Sequence, residues 1–544
     1  MIGAQTAYAQ VSISSNTSTP IATATASNGS PADVDVTSNA TLTINGQTPA
    51  ITVNSNNSVI NLGTITSNNV DGATGILVQG PATATAQINN ASTINLSESY
   101  SASDSANTDG LTEAPYAQGN NRIGIRVTGP FPGPIINSSA ISIQGNVSAG
   151  ISVENTVGSL VNSGSIALVG DNGFGVHTTG EVTGDVNIAG TVNTKGQNTV
   201  GVQTNAPVDG AFRVYNSIST TGYAITARET GTILTNIQKT PADLQQGGSA
   251  VVIGSNVLGG VFLSAPPATT VSTDATTDAD GDGVVDSVQG TASLSTYGSA
   301  PALKIGGSSP ITIGNFAATG YGLVIEGTVT GQGIWDGVSS TAVDISGAGV
   351  NLSGGIHVAN TASVTAVSYQ ANATAMHLGA GVSGSALLNE GTISAALTSS
   401  GAHTAAALQI DAGASVSTLI NLGTISATTT GDAASALAVV DKGGQISSVA
   451  NYGAIAATLT PALPGETVTG TGVALDLSAN TTGVILVQAQ FPGTINTPGI
   501  TGDVLLGSGP NSVSLLAGAM TGSLSMGSAA SSLTIDNGAS YKAP

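Results

Sequence analysis

The stretch LINLGTISATTT, residues 419–430, reads as a buried β-strand interrupted by an amide. Leu419, Ile420, Leu422 and Ile425 favour an apolar core, yet Asn421 sits among them. The same pattern, apolar–Asn–any–small–small–Ile, recurs along the chain. The other copies are INLGTI (60–65), the looser NNASTI (89–94), INSSAI (136–141), VNSGSI (161–166), LNEGTI (388–393) and ANYGAI (450–455). Seven copies of one pattern indicate a repeat protein.

A second pattern, small–apolar–any–apolar, alternates with the first. Its period of two predicts a short strand with one buried face. Its members are GILV (75–78), GIRV (124–127), GISV (150–153), the weaker GVHT (175–178), GVQT (201–204), AITA (224–227), AVVI (250–253), ALKI (302–305), GLVI (322–325), AVDI (342–345), AMHL (375–378), ALQI (407–410), ALAV (436–439) and ALDL (474–477). Neighbours are 20 to 52 residues apart, often 23 to 26. This spacing predicts an all-β fold, a parallel β-helix forming one elongated rod, right-handed by the rule for parallel crossovers.

The repeated asparagine has a structural explanation in such a fold. At a corner between strands, an Asn side chain bonds nearby backbone groups and tolerates a left-handed φ, and stacked asparagines bond each other from coil to coil. A Gly or Ser two residues later supplies the second tight conformation. The predicted structural corners are Asn61, Asn90, Asn137, Asn162, Asn389, Asn421 and Asn451.

Composition excludes several classes of protein. Charged residues make up 7% and aromatic residues 3% of the 544 residues, which argues against an ordinary enzyme or a helical protein. The formal charge of −21 argues against nucleic-acid binding. The absence of cysteine excludes disulfides and thiolate metal sites. The sequence also contains no stretch of about 20 apolar residues, so no membrane-spanning helix is predicted. Ala7-Tyr8-Ala9 matches a signal-peptide cleavage pattern, so residues 1–9 are expected to be the tail of a secretory signal.

The repeats resemble the passenger regions of autotransporters, the type V secreted proteins of Gram-negative bacteria. The likeness is sharpest in GDVLLGSGPNSVSLLAGAMTGSLSMGSAASSLTIDNGAS (502–540), although GSLSMGSAASS lacks the acidic residue after its first Gly. The resemblance implies a right-handed β-helix, Sec-type export, a place on the cell surface, and an outer-membrane β-barrel beyond this sequence. Residues 10–500 are then the passenger solenoid, with a loop inserted near 265–298, and residues 501–544 are coils that precede the barrel.

Chemical motifs are few. GAGVSG (379–384) fits a dinucleotide-binding pattern, but no helix follows it to hold a pyrophosphate. The histidines His177, His357, His377 and His403 have no zinc spacing. The outward column of the second pattern is predicted to contain Leu77, Arg126, Ser152, His177, Gln203, Thr226, Val252, Lys304, Val324, Asp344, His377, Gln409, Ala438 and Asp476. Within it, Lys304, Asp344 and His377 are expected to be neighbours, with a surface charge pair favoured over a catalytic cluster.

The function most consistent with these features is a non-enzymatic cell-surface protein. We expect adhesion, aggregation or surface coating, through avidity along a repetitive lateral face that contacts cell-surface or matrix partners. One alternative is a self-assembling surface-layer or filament protein in which the chain is its own partner. A weaker alternative is a carbohydrate-active enzyme on the same fold.

The segment DADGDGVVD, 278–286, is the one dense run of acidic residues. Asp278, Asp280, Asp282 and Asp286 occupy calcium-loop positions, Gly283 allows a turn, and Val284 offers a backbone carbonyl. Gln289 replaces the bidentate Glu of the twelfth position. Calcium is therefore the one expected cofactor, weakly bound, and the alternative is a solvated acidic loop.

We predict that the chain binds calcium with a dissociation constant of about 10⁻⁴ to 10⁻³ M. Isothermal titration with millimolar calcium measures it, and Asp280→Ala combined with Asp282→Ala should abolish the heat. Equal heats from both proteins would leave only the acidic-loop interpretation.

Overall fold

The computed structural model describes residues 9–83, 85–104, 112–237, 241–266, 290–493, 497–536 and 538–543. Residues 1–8 of the predicted signal tail lie outside these ranges. The chain divides into two compact units. The N-terminal unit contains Met1–Ala224 and Thr240–Gly248, and the C-terminal unit contains Ile225–Lys239 and Ser249–Pro544.

The N-terminal unit is built from coils of three short strands, and each strand pairs in parallel with the equivalent strand of the next coil. Its first sheet contains Gln10–Ile13, Asp33–Val36, Val59–Asn61, Ile88–Asn90, Phe131–Asn137, Val157–Asn162, Val186–Ile188 and Phe212–Val214. Its second sheet contains Thr41–Ile44, Thr64–Asn68, Ile94–Ser97, Ile141–Gln144, Ile166–Val169, Val192–Lys195 and Ser217–Thr221. Its third sheet contains Ile21–Ala22, Ile51–Val53, Thr74–Val78, Ile123–Val127, Ala149–Val153, Phe174–Thr178 and Val200–Thr204. A 3₁₀ turn covers Pro241–Leu244.

The C-terminal unit repeats this organisation. Its first sheet contains Val261–Leu263, Ile311–Ile313, Leu323–Ile325, Val350–Leu352, Ile356–Val358, Val382–Asn389, Ser415–Asn421, Ser448–Asn451, Ile485–Gln488, Ser512–Leu515 and Ser532–Ile535. Its second sheet contains Ser293–Tyr297, Thr328–Gly333, Ser363–Tyr369, Thr392–Thr398, Thr424–Thr430, Ala454–Thr460, Gly499–Thr501, Ala519–Thr521 and Ser540–Lys542. Its third sheet contains Val251–Ile253, Leu303–Ile305, Ser340–Ile345, Ala373–Leu378, Thr404–Ile410, Ser435–Asp441, Gly472–Leu477, Asp503–Leu506 and Leu524–Ser525.

The prediction of an all-β parallel β-helix is confirmed. The pattern's final isoleucines form part of the core, since Ile393, Ile425 and Ile455 lie in register and are fully buried. Leu419 is equally buried. The expectation that Ile420 and Leu422 are core residues is wrong. Alternation along the strand turns Ile420 outward, and the corner leaves Leu422 half-exposed.

The seven corner asparagines end first-sheet strands, and every one of them is fully buried. In the N-terminal unit, each Nδ2 donates to the Oδ1 of the next, from Asn61 through Asn90 and Asn137 to Asn162, over 2.7 Å per bond. In the C-terminal unit, Asn389 donates to Asn421 over 2.7 Å. Asn421 donates to Asn451 over 2.8 Å. We call each series an asparagine ladder.

Two details of the corner differ from the sequence-based expectation. None of the seven asparagines has a left-handed φ. That conformation occurs at Asn69, Asn172 and Asn198, which follow second-sheet strands. The corner backbone also has partners of its own, because the N–H groups of Leu422 and Gly423 donate to the carbonyl of Asn389 one coil earlier.

The glycine after the corner asparagine is required by close packing. Gly423 has no left-handed φ, but a Cβ atom there would lie 2.0 Å from the carbonyl oxygen of Gly391 in the preceding coil. Where a glycine opens the second pattern, the explanation is the same, since a Cβ at Gly150 would lie 2.6 Å from the carbonyl oxygen of Gly175. Small residues therefore mark places where successive coils touch through their backbones.

One short helix was not expected, because no window keeps a helical period. Gly231–Ile237 forms two turns in the C-terminal unit, with Ile237 buried. Just before it, the guanidinium of Arg228 donates to the carbonyl of Ile334 over 2.7 Å and stacks 3.6 Å from the ring centre of Tyr369. A helix of seven residues is too short for its periodicity to be recognised, and this tertiary contact anchors it.

We predict that Asn421→Leu lowers the free energy of unfolding by about 1–3 kcal/mol. The substitution leaves Oδ1 of Asn451 buried without a donor and takes an acceptor from Nδ2 of Asn389. Chemical denaturation measures the loss.

Asn389→Leu is the matched control, because Oδ1 of Asn389 already lacks a hydrogen-bond partner at the start of its ladder. Asn389→Leu removes this unpaired oxygen but leaves Oδ1 of Asn421 without its donor, so the number of unpaired buried oxygens stays the same. The loss of unfolding free energy should therefore be smaller than for Asn421→Leu. Equal losses for the two variants would show that bonding along the ladder adds nothing.

Candidate functional site

Outward-facing side chains of the third sheet form columns in fixed register. In the N-terminal unit the column contains Leu77, Arg126, Ser152, His177 and Gln203. In the C-terminal unit it contains Val252, Lys304, Asp344, His377, Gln409, Val440 and Asp476. The pattern therefore located most of these residues correctly.

Three members of the predicted column are misplaced. Thr226 lies outside every strand. Val324 is fully buried. The pattern predicted that GLVI (322–325) belongs to the third sheet, but its strand, Leu323–Ile325, belongs to the first sheet. Ala438 is also fully buried, and Val440 takes its place beside Gln409. Small apolar residues satisfy the pattern in two registers, so the letters alone cannot choose between them.

A hydroxyl-rich surface covers part of the second sheet in the C-terminal unit. Two files of Ser and Thr run across five strands in register. We call this set the hydroxyl face: Ser293, Thr328, Ser363, Thr392 and Thr424 in one file, and Ser295, Thr330, Thr365, Ser394 and Ser426 in the other. Neighbours in a file are about 4.8 Å apart, and the files about 6.7 Å apart. None of the five strands contains a charged residue.

His377 occupies the centre of a charged cluster on the third sheet of the same unit. Its Nδ1 lies 2.7 Å from Oδ1 of Asp344, and its Nε2 lies 2.9 Å from Oδ2 of Asp411. Lys442 adds an ion pair of 3.1 Å to Asp411. Ser346 donates to Asp344 over 2.8 Å. Because a carboxylate only accepts hydrogen bonds, both ring nitrogens carry protons and the imidazole is cationic.

These contacts shift the pKa values of all three central groups. The hydrogen bond to Asp344 is the largest influence on His377 and raises its pKa, with a further contribution from Asp411. Burial alone would raise the pKa of Asp344, but the hydrogen bonds from His377 and Ser346 outweigh it and lower the pKa. The same balance lowers the pKa of Asp411. Both carboxyl groups are therefore ionised near neutral pH.

The sequence-based expectation for this cluster is confirmed in one respect and incomplete in another. Asp344 and His377 are register partners on adjacent strands, as expected, and Lys304 precedes them in the same column. Asp411 was missed, since it follows the strand that carries Gln409 rather than lying within the column. The sequence could have indicated Asp411 through its position two residues after the outward-facing Gln409, because a side chain at that position can reach the column.

The N-terminal unit contains a smaller set of polar contacts. Arg126 forms a two-pronged ion pair with Glu154, with N–O distances of 2.7 and 3.0 Å. His177 stacks on Phe174 with 4.2 Å between ring centres, and burial lowers its pKa. Burial on an aromatic ring favours the neutral imidazole, so this histidine differs from the cationic His377.

A buried arginine was also missed by sequence reasoning. The side chain of Arg122 is 1% exposed and lies 3.0 Å from Glu98, which is itself 4% exposed. Glu98 accepts two further bonds, from the backbone N–H groups of Gln118 and Gly119. Arg122 thus fixes the end of the long connection between two strands, which is a structural role.

Two further features limit the chemistry of the described residues. They contain no group of three or more His, Cys, Asp or Glu side chains placed to hold a metal ion. No helix among them is both long enough and apolar enough to cross a membrane. The predicted calcium ligands Asp278, Asp280, Asp282, Val284 and Asp286 lie outside the described residues, so this site stays a prediction.

No family model, no curated protein and no solved structure matches this chain. Functional inference therefore rests on the geometry of the outward faces.

We predict that His377 stabilises the fold in a pH-dependent way. A histidine whose pKa is raised by folding contributes fully below its ordinary value of 6.5, and the contribution is lost as the pH rises through the raised value. The unfolding free energies of the natural protein and of His377→Gln should differ by on the order of 1 kcal/mol near pH 5.5, and the difference should shrink towards about pH 9.

His403→Gln supplies the control, because His403 has no carboxylate partner among the described ion pairs. Denaturant titration across that range measures both variants. A constant difference for His377→Gln would refute the protonated arrangement.

Proposed function

We propose that this protein is a non-enzymatic surface adhesin that binds hydroxyl-rich polymers along the hydroxyl face. The observation that carries the proposal is the in-register array of ten Ser and Thr side chains on an uncharged part of the second sheet. Each hydroxyl donates one hydrogen bond and accepts others, as do the hydroxyls of a polysaccharide. Many weak bonds in one regular array supply avidity without a deep pocket.

The chemistry of the His377 cluster favours binding over catalysis. Hydrolysis of a glycosidic bond by two carboxyl groups requires one of them to be protonated. The lowered pKa values of Asp344 and Asp411 keep both ionised. His377 directs both of its ring protons at these carboxylates, so it offers none to a substrate.

An extracellular place is part of the same proposal. The repeats and the segment 502–540 resemble autotransporter passengers, and this segment continues the three-strand coils through Asp503–Leu506 and Ser512–Leu515. We propose export through the Sec route and display on a Gram-negative cell. The acidic composition and the absence of cysteine are compatible with that environment.

Removing hydroxyls without changing side-chain size tests the adhesin proposal. The purified chain is incubated with insoluble cellulose and chitin, and the bound fraction is measured after sedimentation. Thr330→Val combined with Thr365→Val should weaken retention roughly 5- to 50-fold, because two hydrogen bonds of about 1 kcal/mol each are lost.

The control is Thr312→Val combined with Thr418→Val, which removes two hydroxyls from the first sheet of the same unit, outside both the hydroxyl face and the third sheet. It should leave retention on these solids unchanged. Light scattering of each protein separates adhesion from self-association. Failure of the natural protein to bind either polymer, or equal retention of both double variants, would refute the proposal.

A further inference from the structure

A cleft of about 340 Å³ opens beside His377 on the third sheet of the C-terminal unit. Its walls include Thr341 and Thr374, which are register partners on adjacent strands. Asp344 and His377 form the next file across the same strands, and Gln409 continues this file on the following strand. The volume falls within the usual range of small-molecule sites and can accommodate one or two sugar rings.

The polar walls are held in place before any ligand arrives. Asp344 is bonded to both His377 and Ser346. Gln409 donates to Asp411 over 3.1 Å, which orients the amide and directs its oxygen away from that bond. Preformed hydrogen-bonding groups reduce the entropy that a ligand must lose on binding.

The charges around the cleft compensate one another. The carboxylates of Asp344 and Asp411 face the cationic His377, and Lys442 pairs with Asp411. Lys304 lies next to Asp344 in the column and lowers its pKa. Of the residues that line the cleft, only Asp344 and His377 are charged, with opposite signs, so the lining offers neither the excess negative charge that a metal ion requires nor a free cation pair for a phosphate.

Several hydrogen-bonding groups remain free to meet a ligand. Among the described residues, the hydroxyls of Thr341 and Thr374 and the amide oxygen of Gln409 have no hydrogen-bond partner. The carboxylate oxygens of Asp344 retain lone pairs beyond the bonds they accept. A ligand that suits this set is uncharged and carries several adjacent hydroxyls, each of which donates and accepts.

The geometry points to a binding site for one neutral saccharide unit in this cleft. Thr341 and Thr374 would bond adjacent sugar hydroxyls, Asp344 would accept from a third, and Gln409 would orient the ring. This site differs from the hydroxyl face, because it recognises a single sugar residue by shape and position. No Phe, Tyr or Trp side chain among the described residues lines the cleft, so the expected dissociation constant is about 1–10 mM.

Soluble oligosaccharides test the cleft without involving an insoluble surface. The probes are cellohexaose, maltohexaose and xylohexaose as neutral chains, with an oligogalacturonate as the charged comparison. Saturation-transfer NMR and titration calorimetry measure binding to the full chain. At least one neutral probe should bind in the millimolar range, and the charged probe should bind at least about fivefold more weakly.

Thr341→Val combined with Thr374→Val should weaken that binding at least about fivefold. Thr312→Val combined with Thr418→Val, on the first sheet of the same unit, is the matched control and should leave it unchanged. Should the first pair fail to fold, Gln409→Ala removes an amide from the same cleft and should produce a loss of similar size.

Three results would overturn the saccharide site: no binding of any neutral probe up to about 20 mM, equal binding of the charged probe, or binding that the cleft variants leave intact. If the natural protein fails to bind cellulose and chitin but binds a neutral soluble sugar, the proposal for the hydroxyl face alone is refuted. If it binds the solids but no neutral soluble sugar, the saccharide site in the cleft alone is refuted, so the two proposals fail separately.

Discussion

Fixed register between parallel coils is the constraint on which the rest of the structure depends. Each asparagine ladder contributes to it, because a buried amide that donates to the next coil tolerates no slip of even one residue. A slip would bury unpaired amide groups and turn outward residues into the core. The close backbone contacts at Gly423 and Gly150 add a steric requirement at the same places. Amide bonding and backbone packing thus select one alignment of every strand.

That alignment converts a repetitive sequence into distinct chemical surfaces. On the second sheet of the C-terminal unit, alternate positions of five strands assemble a hydroxyl array. On the third sheet, the same rule brings Lys304, Asp344 and His377 into one column. Each residue is unremarkable in its own strand, and only stacking creates the array and the cluster. A chain with few charges can therefore still concentrate them where a polar site is formed.

The sequence predicted the architecture well because both repeating patterns report directly on burial. The asparagines, the core isoleucines and the pairing of Asp344 with His377 all follow from periodicity and spacing. Asp411 was beyond this reasoning, since it reaches the cluster from outside the column. Ala438 was misplaced because small apolar residues fit two registers, and Val324 because GLVI forms a strand of the first sheet rather than the third. The expected reason for the small residue after the corner asparagine is also wrong: Gly423 is needed for backbone contact between coils rather than for an unusual φ. The small residues mark these contacts in the sequence, but the letters alone do not distinguish a close backbone approach from an unusual φ.

Disulfide trapping of register partners tests the central claim of fixed register most directly. The natural chain has no cysteine, so an introduced pair reports without interference. Thr365 and Ser394 are register partners, whereas Ala396 lies two residues further along the same strand. Partners about 4.8 Å apart lie within reach of a disulfide, and the shifted pair, about 8 Å apart, does not. Mild oxidation should therefore cross-link Thr365→Cys with Ser394→Cys, and leave Thr365→Cys with Ala396→Cys reduced. Preferential cross-linking of the shifted pair would contradict the register and the surfaces built on it.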